Sequence, residues 1–447
     1  MSANTDLLAR SLAHVWNPCT QMKVHETLPL VPVARGEGVW LEDFEGHRFL
    51  DAVSSWWVNL FGHCNPRIRA AIVEQLGTLE HAMLAGFTHA PAVELAERLC
   101  ALAPRESGRG GLEHACYASD GASATEIALK LAFHAARNRG QPRRQRFVAL
   151  ERSYHGETLG ALSVTDMAIY RDAYGPLLGT PLLAPAPAPA ARAALDSPCC
   201  PDCVAPALAA LDALLERHGE EVAAMIVEPL VQGAAGMRMY HPDYLRGVRE
   251  RCDRHGVLLI ADEIMTGMGR TGTMFACEQA GIAPDLMCLS KGITGGFLPL
   301  SVVLATDAVY RAFYDDSGTR AFLHSHSYTG NPLACRAALA TLDLFEADDV
   351  IVANRALAAR IDAMAAPLRE QPWVRGWRRL GMIWAFEVEG ADAAFPRAVF
   401  AEALDRGLLL RPIGDTVYFM PPYSIGADEA EHMIRTAHAT LLAVRGD

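Results

Sequence analysis

The middle of the chain alternates short apolar, β-branched runs with longer stretches of helical periodicity. Strands are predicted at 146–150, 224–228, 257–262, 286–290 and 301–305, with helices among them at 123–137, 206–217 and 242–255. Strands that are apolar throughout, rather than alternating, are buried on both faces. Separated by helices, they predict an α/β fold with a mostly parallel sheet flanked by helices. Toward the C-terminus the order changes. Helical stretches lead to 381–389 and 408–420, both with strand character, and an amphipathic helix follows. This α+β pattern predicts a second, smaller domain, and 447 residues are too many for one ordinary core. Residues 181–209, rich in Pro and Ala, are expected to form an extended surface excursion within the larger unit.

Composition narrows the possible partners. A net charge of −12 disfavours nucleic acid or an anionic membrane. No run approaches the roughly 18 apolar residues of a spanning helix. The first residues, which include Asp6 and Arg10, lack an apolar signal core, so a cytoplasmic protein is expected. Its eleven cysteines are then expected to be reduced thiols. Cys199, Cys200 and Cys203 cluster without a fourth ligand at zinc spacing, which predicts a surface loop and no metal.

Candidate chemistry begins at Val257-Leu-Leu-Ile-Ala-Asp262-Glu263, where acids end an apolar strand. Ligands of open α/β sheets bind at such carboxyl ends, although an Asp there also caps turns. Leu286-Met-Cys-Leu-Ser-Lys291-Gly292 ends a second buried strand on a lysine, an unusual place for a normally solvated group. A desolvated lysine attacks an aldehyde to form an imine. The two residues are 29 apart, about one strand–connection–strand unit, which predicts neighbouring strands. A lysine and a carboxylate facing one ring suit pyridoxal phosphate: the lysine holds the aldehyde, and Asp262 keeps the pyridine nitrogen protonated. Ser119-Asp-Gly121-Ala122-Ser123 enters a helix and offers backbone N–H groups to a phosphate, unless it is a plain N-cap. Tyr154, in Ser153-Tyr-His-Gly-Glu157, follows the first strand and can stack on a planar ring. Gly267-Met-Gly269-Arg-Thr-Gly272 matches a dinucleotide fingerprint but lies too far past its strand, so Arg270 is expected to brace the site instead.

The run Ala261–Gly272 followed by Ser290–Gly296 resembles the class III (ω-type) aminotransferases of fold type I. Val53-Ser-Ser-Trp56-Trp57, Gly236–His241 and Arg411-Pro-Ile-Gly with Met420-Pro-Pro-Tyr423 resemble that family's biotin-biosynthetic branch, from about Trp16 to Tyr423. The resemblance implies a fold-type-I transferase with a large cofactor domain at 66–330 and a small domain built from 1–65 and 331–447. It also implies a homodimer with active sites at the subunit interface. Lys291, Asp262 and Tyr154 would be catalytic. Gly121 and Ala122 would hold the phosphate, reached by His326 and Ser327 of a partner subunit. Trp56, Cys19, Tyr154, Lys291, Ser325 and Arg411 would meet substrate, with Arg411 clamping its carboxylate. The implied reaction converts 8-amino-7-oxononanoate to 7,8-diaminononanoate by ping-pong chemistry, with S-adenosylmethionine as donor.

The sequence departs from the family's pattern in three places. Asn17-Pro-Cys19-Thr stands where His-Pro-Tyr-Thr/Ser is common, Ser325-His-Ser327 replaces Gly-Pro-Thr, and Ala122 lacks a hydroxyl. Lysine therefore stands as an alternative donor. Another ω-aminotransferase, acting on diamines or ω-amino acids, is a further reading, against which Trp56, Trp57 and Arg411 suit a long apolar acid. A silent scaffold on this fold has no need of both Lys291 and Asp262.

Overall fold

The computed structural model describes residues 2–28, 30–106, 110–187 and 203–446. Its centre is a seven-stranded sheet in the order Leu112–Ala118, Ser301–Thr306, Leu286–Leu289, Leu258–Asp262, Val222–Val227, Arg146–Leu150, Leu182–Ala184. The pairings from Leu286–Leu289 through to Leu182–Ala184 are parallel, and Ser301–Thr306 is antiparallel to both its neighbours. Alternate side chains of each strand leave opposite faces. Ala224, Ile226, Ile260, Cys288 and Val303 therefore pack with Ile127, Ala128 and Leu131 of the helix Gly121–Asn138. Met225, Val227, Leu259, Met287 and Val302 join the main core on the other side. Both faces are covered, as apolar strands require.

Four strands and two helices lie close to their predicted bounds, and Arg146–Leu150 and Pro242–His255 match them. The helix predicted from residue 123 begins at Gly121, because the Asp120 carboxylate accepts the Ser123 N–H at 2.9 Å and acts as the N-cap. Leu112–Ala118 was not anticipated, since Glu113 and His114 interrupt its apolar run. The 181–209 excursion needs correction too. Leu182–Ala184 is an edge strand and Val204–His218 a helix, while 188–202, including Cys199 and Cys200, lie outside the described residues. Cys203 is buried, and no disulfide joins any described cysteine.

The chain's two ends meet in a smaller sheet. Val33–Glu37, Trp40–Asp43 and Arg48–Asp51 form an antiparallel meander, and Leu408–Leu409 pairs parallel to its last strand. The stretch 408–420 is therefore not one strand. It splits between this sheet and Thr416–Phe419, which joins Val374–Leu380 and Ile383–Val388 in a third sheet. Arg411 falls at the break. Arg270 is buried and donates to the carbonyls of Pro421 at 2.9 Å and Asn59 at 3.3 Å, so it ties the central sheet's loop to both end segments. Among the described residues no helix is long and apolar enough to cross a membrane.

Candidate active site

A cavity of about 780 Å³ opens at the carboxyl ends of Leu258–Asp262 and Leu286–Leu289. Parallel register sets Asp262 beside Cys288, so Lys291 emerges one strand away from the carboxylate, as their spacing predicts. Lys291 begins a one-turn 3-10 helix with φ +46°, a left-handed conformation uncommon for a side-chain-bearing residue. Burial pushes its amine pKa down, and the pull of the Asp262 and Glu228 carboxylates only partly offsets this.

Asp262 is held from two sides. One oxygen accepts the Ile264 N–H at 3.1 Å and the other accepts Nδ1–H of buried His155 at 2.7 Å. Behind them lies Glu228, one residue past the strand Val222–Val227, accepting the N–H groups of Tyr154 at 3.1 Å and Gly233 at 2.9 Å. Burial raises the Glu228 carboxyl to about 7. His155 opposes the rise and Asp262 adds to it. Glu228 thus anchors the loop that carries Tyr154. Gly156, in the same loop, passes so close to the helix start that a Cβ there would lie 2.6 Å from that of Ala122. Gly121 and Ala122 occupy the helix's first turn, where backbone N–H groups have no partner within the helix, and both line the cavity.

The opposite wall comes from the chain's end segments. Ser54, Ser55, Trp56 and Trp57 have φ of +50°, +44°, +70° and +73°, forming one left-handed turn closed by Trp57 N–H to Val53 O at 2.9 Å. Such a turn costs about 1–2 kcal/mol per residue and persists only where its surroundings impose it. Buried Trp57 donates its indole N–H to the Tyr418 hydroxyl at 3.1 Å, and the Lys291 amine lies 5.3 Å from its ring centre. Half-exposed Trp56 lies beneath the Arg411 guanidinium at 4.9 Å. Cys19 points its thiol at Glu157, 3.5 Å away, and Glu157 also accepts the Tyr154 hydroxyl at 3.0 Å. Burial, then Glu157, raises the Cys19 thiol pKa.

Lys291, Asp262, Tyr154, Gly121, Ala122, Trp56, Cys19 and Arg411 thus share one cavity. Ser325, His326 and Ser327 do not line it. Ser325 and Ser327 are exposed, and His326 Nδ1 lies 3.0 Å from Ser119 Oγ, just before the helix start. Sequence reasoning passed over His155, Glu157 and Glu228. The rule that found Asp262, an acid ending an apolar strand, would also have found Glu228.

A sequence model of the family Aminotransferase class-III matches residues 21–441. The chain belongs to the class-III aminotransferases. A relative from Helicobacter pylori, named adenosylmethionine-8-amino-7-oxononanoate aminotransferase, is 44% identical over 97% of each chain. The structure of the enzyme of that name from Methanocaldococcus jannaschii superposes with a TM-score of 0.90 at 34% identity, over 98% of this chain and 99% of its own. An amine transaminase from an uncultivated Pseudomonas species, solved in its PLP-bound form, gives 0.86 at 31% identity, over 96% and 98%. A class-III aminotransferase works with pyridoxal 5′-phosphate, and this cavity fits that group. It offers a partly desolvated amine, unsatisfied helix N–H groups for a phosphate, and a buried carboxylate for a ring nitrogen. Beside that carboxylate, His155 Nε2 has no partner among the described residues.

Proposed function

We propose that this aminotransferase converts 8-amino-7-oxononanoate to 7,8-diaminononanoate, with S-adenosylmethionine as the amino donor. The observation that carries the reading is the pair of tryptophans. Trp57 lies against Lys291, where an amino group would be exchanged, and Trp56 lies beneath Arg411, where a carboxylate would be clamped. An apolar chain with a reacting ketone and a distant carboxylate suits such a cavity.

Bound pyridoxal phosphate supplies an electron sink that makes the donor's Cα–H acidic. The chain's residues do the rest. Lys291 would hold the cofactor aldehyde. Its Nζ, freed once the donor's amine takes its place and easier to deprotonate than an exposed lysine, would move the proton from the donor's Cα to C4′ of the cofactor. Asp262, steadied by His155, keeps a proton on the ring nitrogen. The N–H groups of Gly121 and Ala122 would hold the phosphate, and Tyr154 would flank the ring. Arg411 pairs with the ketone's carboxylate, and Glu157 meets the cationic end of the donor.

The proposal includes a cytoplasmic setting, a large domain at 66–330, a small one built from 1–65 and 331–447, and a homodimer. His326 and Ser327 then serve the partner's phosphate site and Ser325 its substrate. Leu323 and Tyr328 on the same loop expose 85% and 65% of their surface, an apolar area suited to a second copy. Lysine as donor is a second reading, favoured by the exchange of a phenol for Cys19 beside Glu157. The test is to supply the loaded enzyme with the ketone and each donor separately, following diamine by mass spectrometry and donor turnover by the cofactor's visible absorbance. Amination with neither donor, alongside turnover of simple diamines, would replace this reading with another ω-aminotransferase.

A further inference from the structure

Asp51 ends the strand Arg48–Asp51 and is fully buried, and its carboxylate is spent on the turn that follows. One oxygen accepts the N–H of Val53 at 3.3 Å and of Ser55 at 2.9 Å. The other accepts the Ser55 hydroxyl at 2.7 Å and His63 Nε2–H at 3.0 Å. His63 in turn meets the Asn59 amide through Nδ1 at 3.0 Å. The partners therefore bracket the left-handed turn Ser54–Trp57 on both sides.

Every one of these side-chain bonds is local, within twelve residues of Asp51. The long-range ties of this segment are made by other groups: Ser54 Oγ to Met420 O at 2.7 Å, Trp57 Nε1 to Tyr418, and the backbone of residues 50–52 to Leu409 and Met420. Losing the Asp51 carboxylate would free the turn without unfastening the sheets. Four successive side-chain-bearing residues have no intrinsic reason to stay left-handed. The carboxylate favours the one conformation in which Trp56 lies against the Arg411 guanidinium and Trp57 against the Lys291 amine.

We propose that Asp51 is a positioning residue for amine transfer: through the turn Ser54–Trp57 it sets Trp56 for Arg411 and Trp57 for Lys291. The Arg411 half rests on the ketone substrate proposed above, and the Lys291 half does not.

The test compares Asp51→Asn, Ser55→Gly and the double variant as pyridoxal-phosphate-loaded enzymes. Three readouts are taken: KM and kcat for the ketone, the pH midpoint of the cofactor's visible absorbance, and the thermal midpoint. Asp51→Asn should raise KM roughly tenfold, the equivalent of one lost polar contact, with a smaller fall in kcat. It should also move the absorbance midpoint, which reads the surroundings of the Lys291 nitrogen. Glycine adopts the left-handed conformation freely, so adding Ser55→Gly should restore most of the KM. A lower thermal midpoint with KM and absorbance midpoint both unchanged would overturn the proposal and leave Asp51 a stability residue. Were Asp51→Asn not to fold, Ser55→Ala decides: a raised KM supports the proposal, and an unchanged one overturns it. Were the wild type not to aminate the ketone, the substrate reading fails separately, and the absorbance midpoint still decides the Lys291 half.

Discussion

His155→Phe removes the Nδ1–H that meets Asp262 at 2.7 Å while filling much of the same buried space. Asp262 would then keep only the Ile264 N–H, at 3.1 Å. A hydrogen bond to a charged group contributes about 1.5–3 kcal/mol, and here both partners are buried, so little water steps in. Asp262's grip on the ring nitrogen should weaken by a similar amount, roughly ten- to a hundredfold in cofactor affinity. The assay titrates apo-enzyme with pyridoxal phosphate, following visible absorbance, with circular dichroism to check the fold. Both half-reactions should slow, because a poorly fixed carboxylate protonates the ring less. His155→Asn, whose amide can still donate, should recover part of the loss. A folded His155→Phe enzyme with cofactor affinity within about twofold of wild type would refute the reasoning, since that equals less than half a kcal/mol. His155 would then be a packing residue, and Asp262 would be held by the backbone alone.

Other expectations test separate parts of the site. Lys291→Ala should still retain cofactor, by spin-column recovery, yet transfer no amine in single-turnover assays. Arg411→Ala should raise KM for the ketone roughly ten- to a hundredfold by losing a charge-assisted pair, and leave the donor half-reaction less affected. Glu263 is buried, accepts from Thr266 Oγ at 2.6 Å and the Cys277 N–H at 2.9 Å, and has its carboxyl pushed up to about 7 by burial. A raised acid binds its proton more tightly folded than unfolded, so its stabilising contribution is full below about 4.5 and lost as pH rises to about 7. Glu263→Gln should therefore flatten the fall in stability over that window by up to about 1.4 kcal/mol per pH unit, read from urea midpoints at successive pH values.

Much of the site was legible because its chemistry sits where apolar strands stop. Asp262 ends a run with no other polar residue, Lys291 ends one broken only by Ser290, and a 29-residue spacing leaves few topologies besides adjacent strands. Glu228 obeys the same rule but stands before a proline, within a run that read as strand to its end. His155 was hidden for another reason. Its function depends on a bond to a residue 107 positions away, and no local pattern encodes such a distance. The left-handed turn is harder still: Ser-Ser-Trp-Trp has no glycine to announce it, and the conformation is imposed by the Asp51 carboxylate and the C-terminal segment. Residues 408–420 misled for the converse reason, since local strand propensity is silent about which of two sheets each half will join.

Leu408 pairs with Leu50, about 360 residues earlier in the chain. During synthesis the early segment leaves the ribosome long before its partner exists, by about 20–70 s at 5–20 residues per second. Through that interval Leu50, Ala52 and Trp57, all buried in the finished molecule, lack the surfaces that will cover them. All seven strands of the central sheet lie at or before residue 306 and are made first. The tryptophan wall and Arg411 are set only when Leu408–Leu409 and Thr416–Phe419 emerge, so a nascent chain gains its catalytic cavity long after its central strands. Until then its N-terminal segment is a stretch for chaperones to shield.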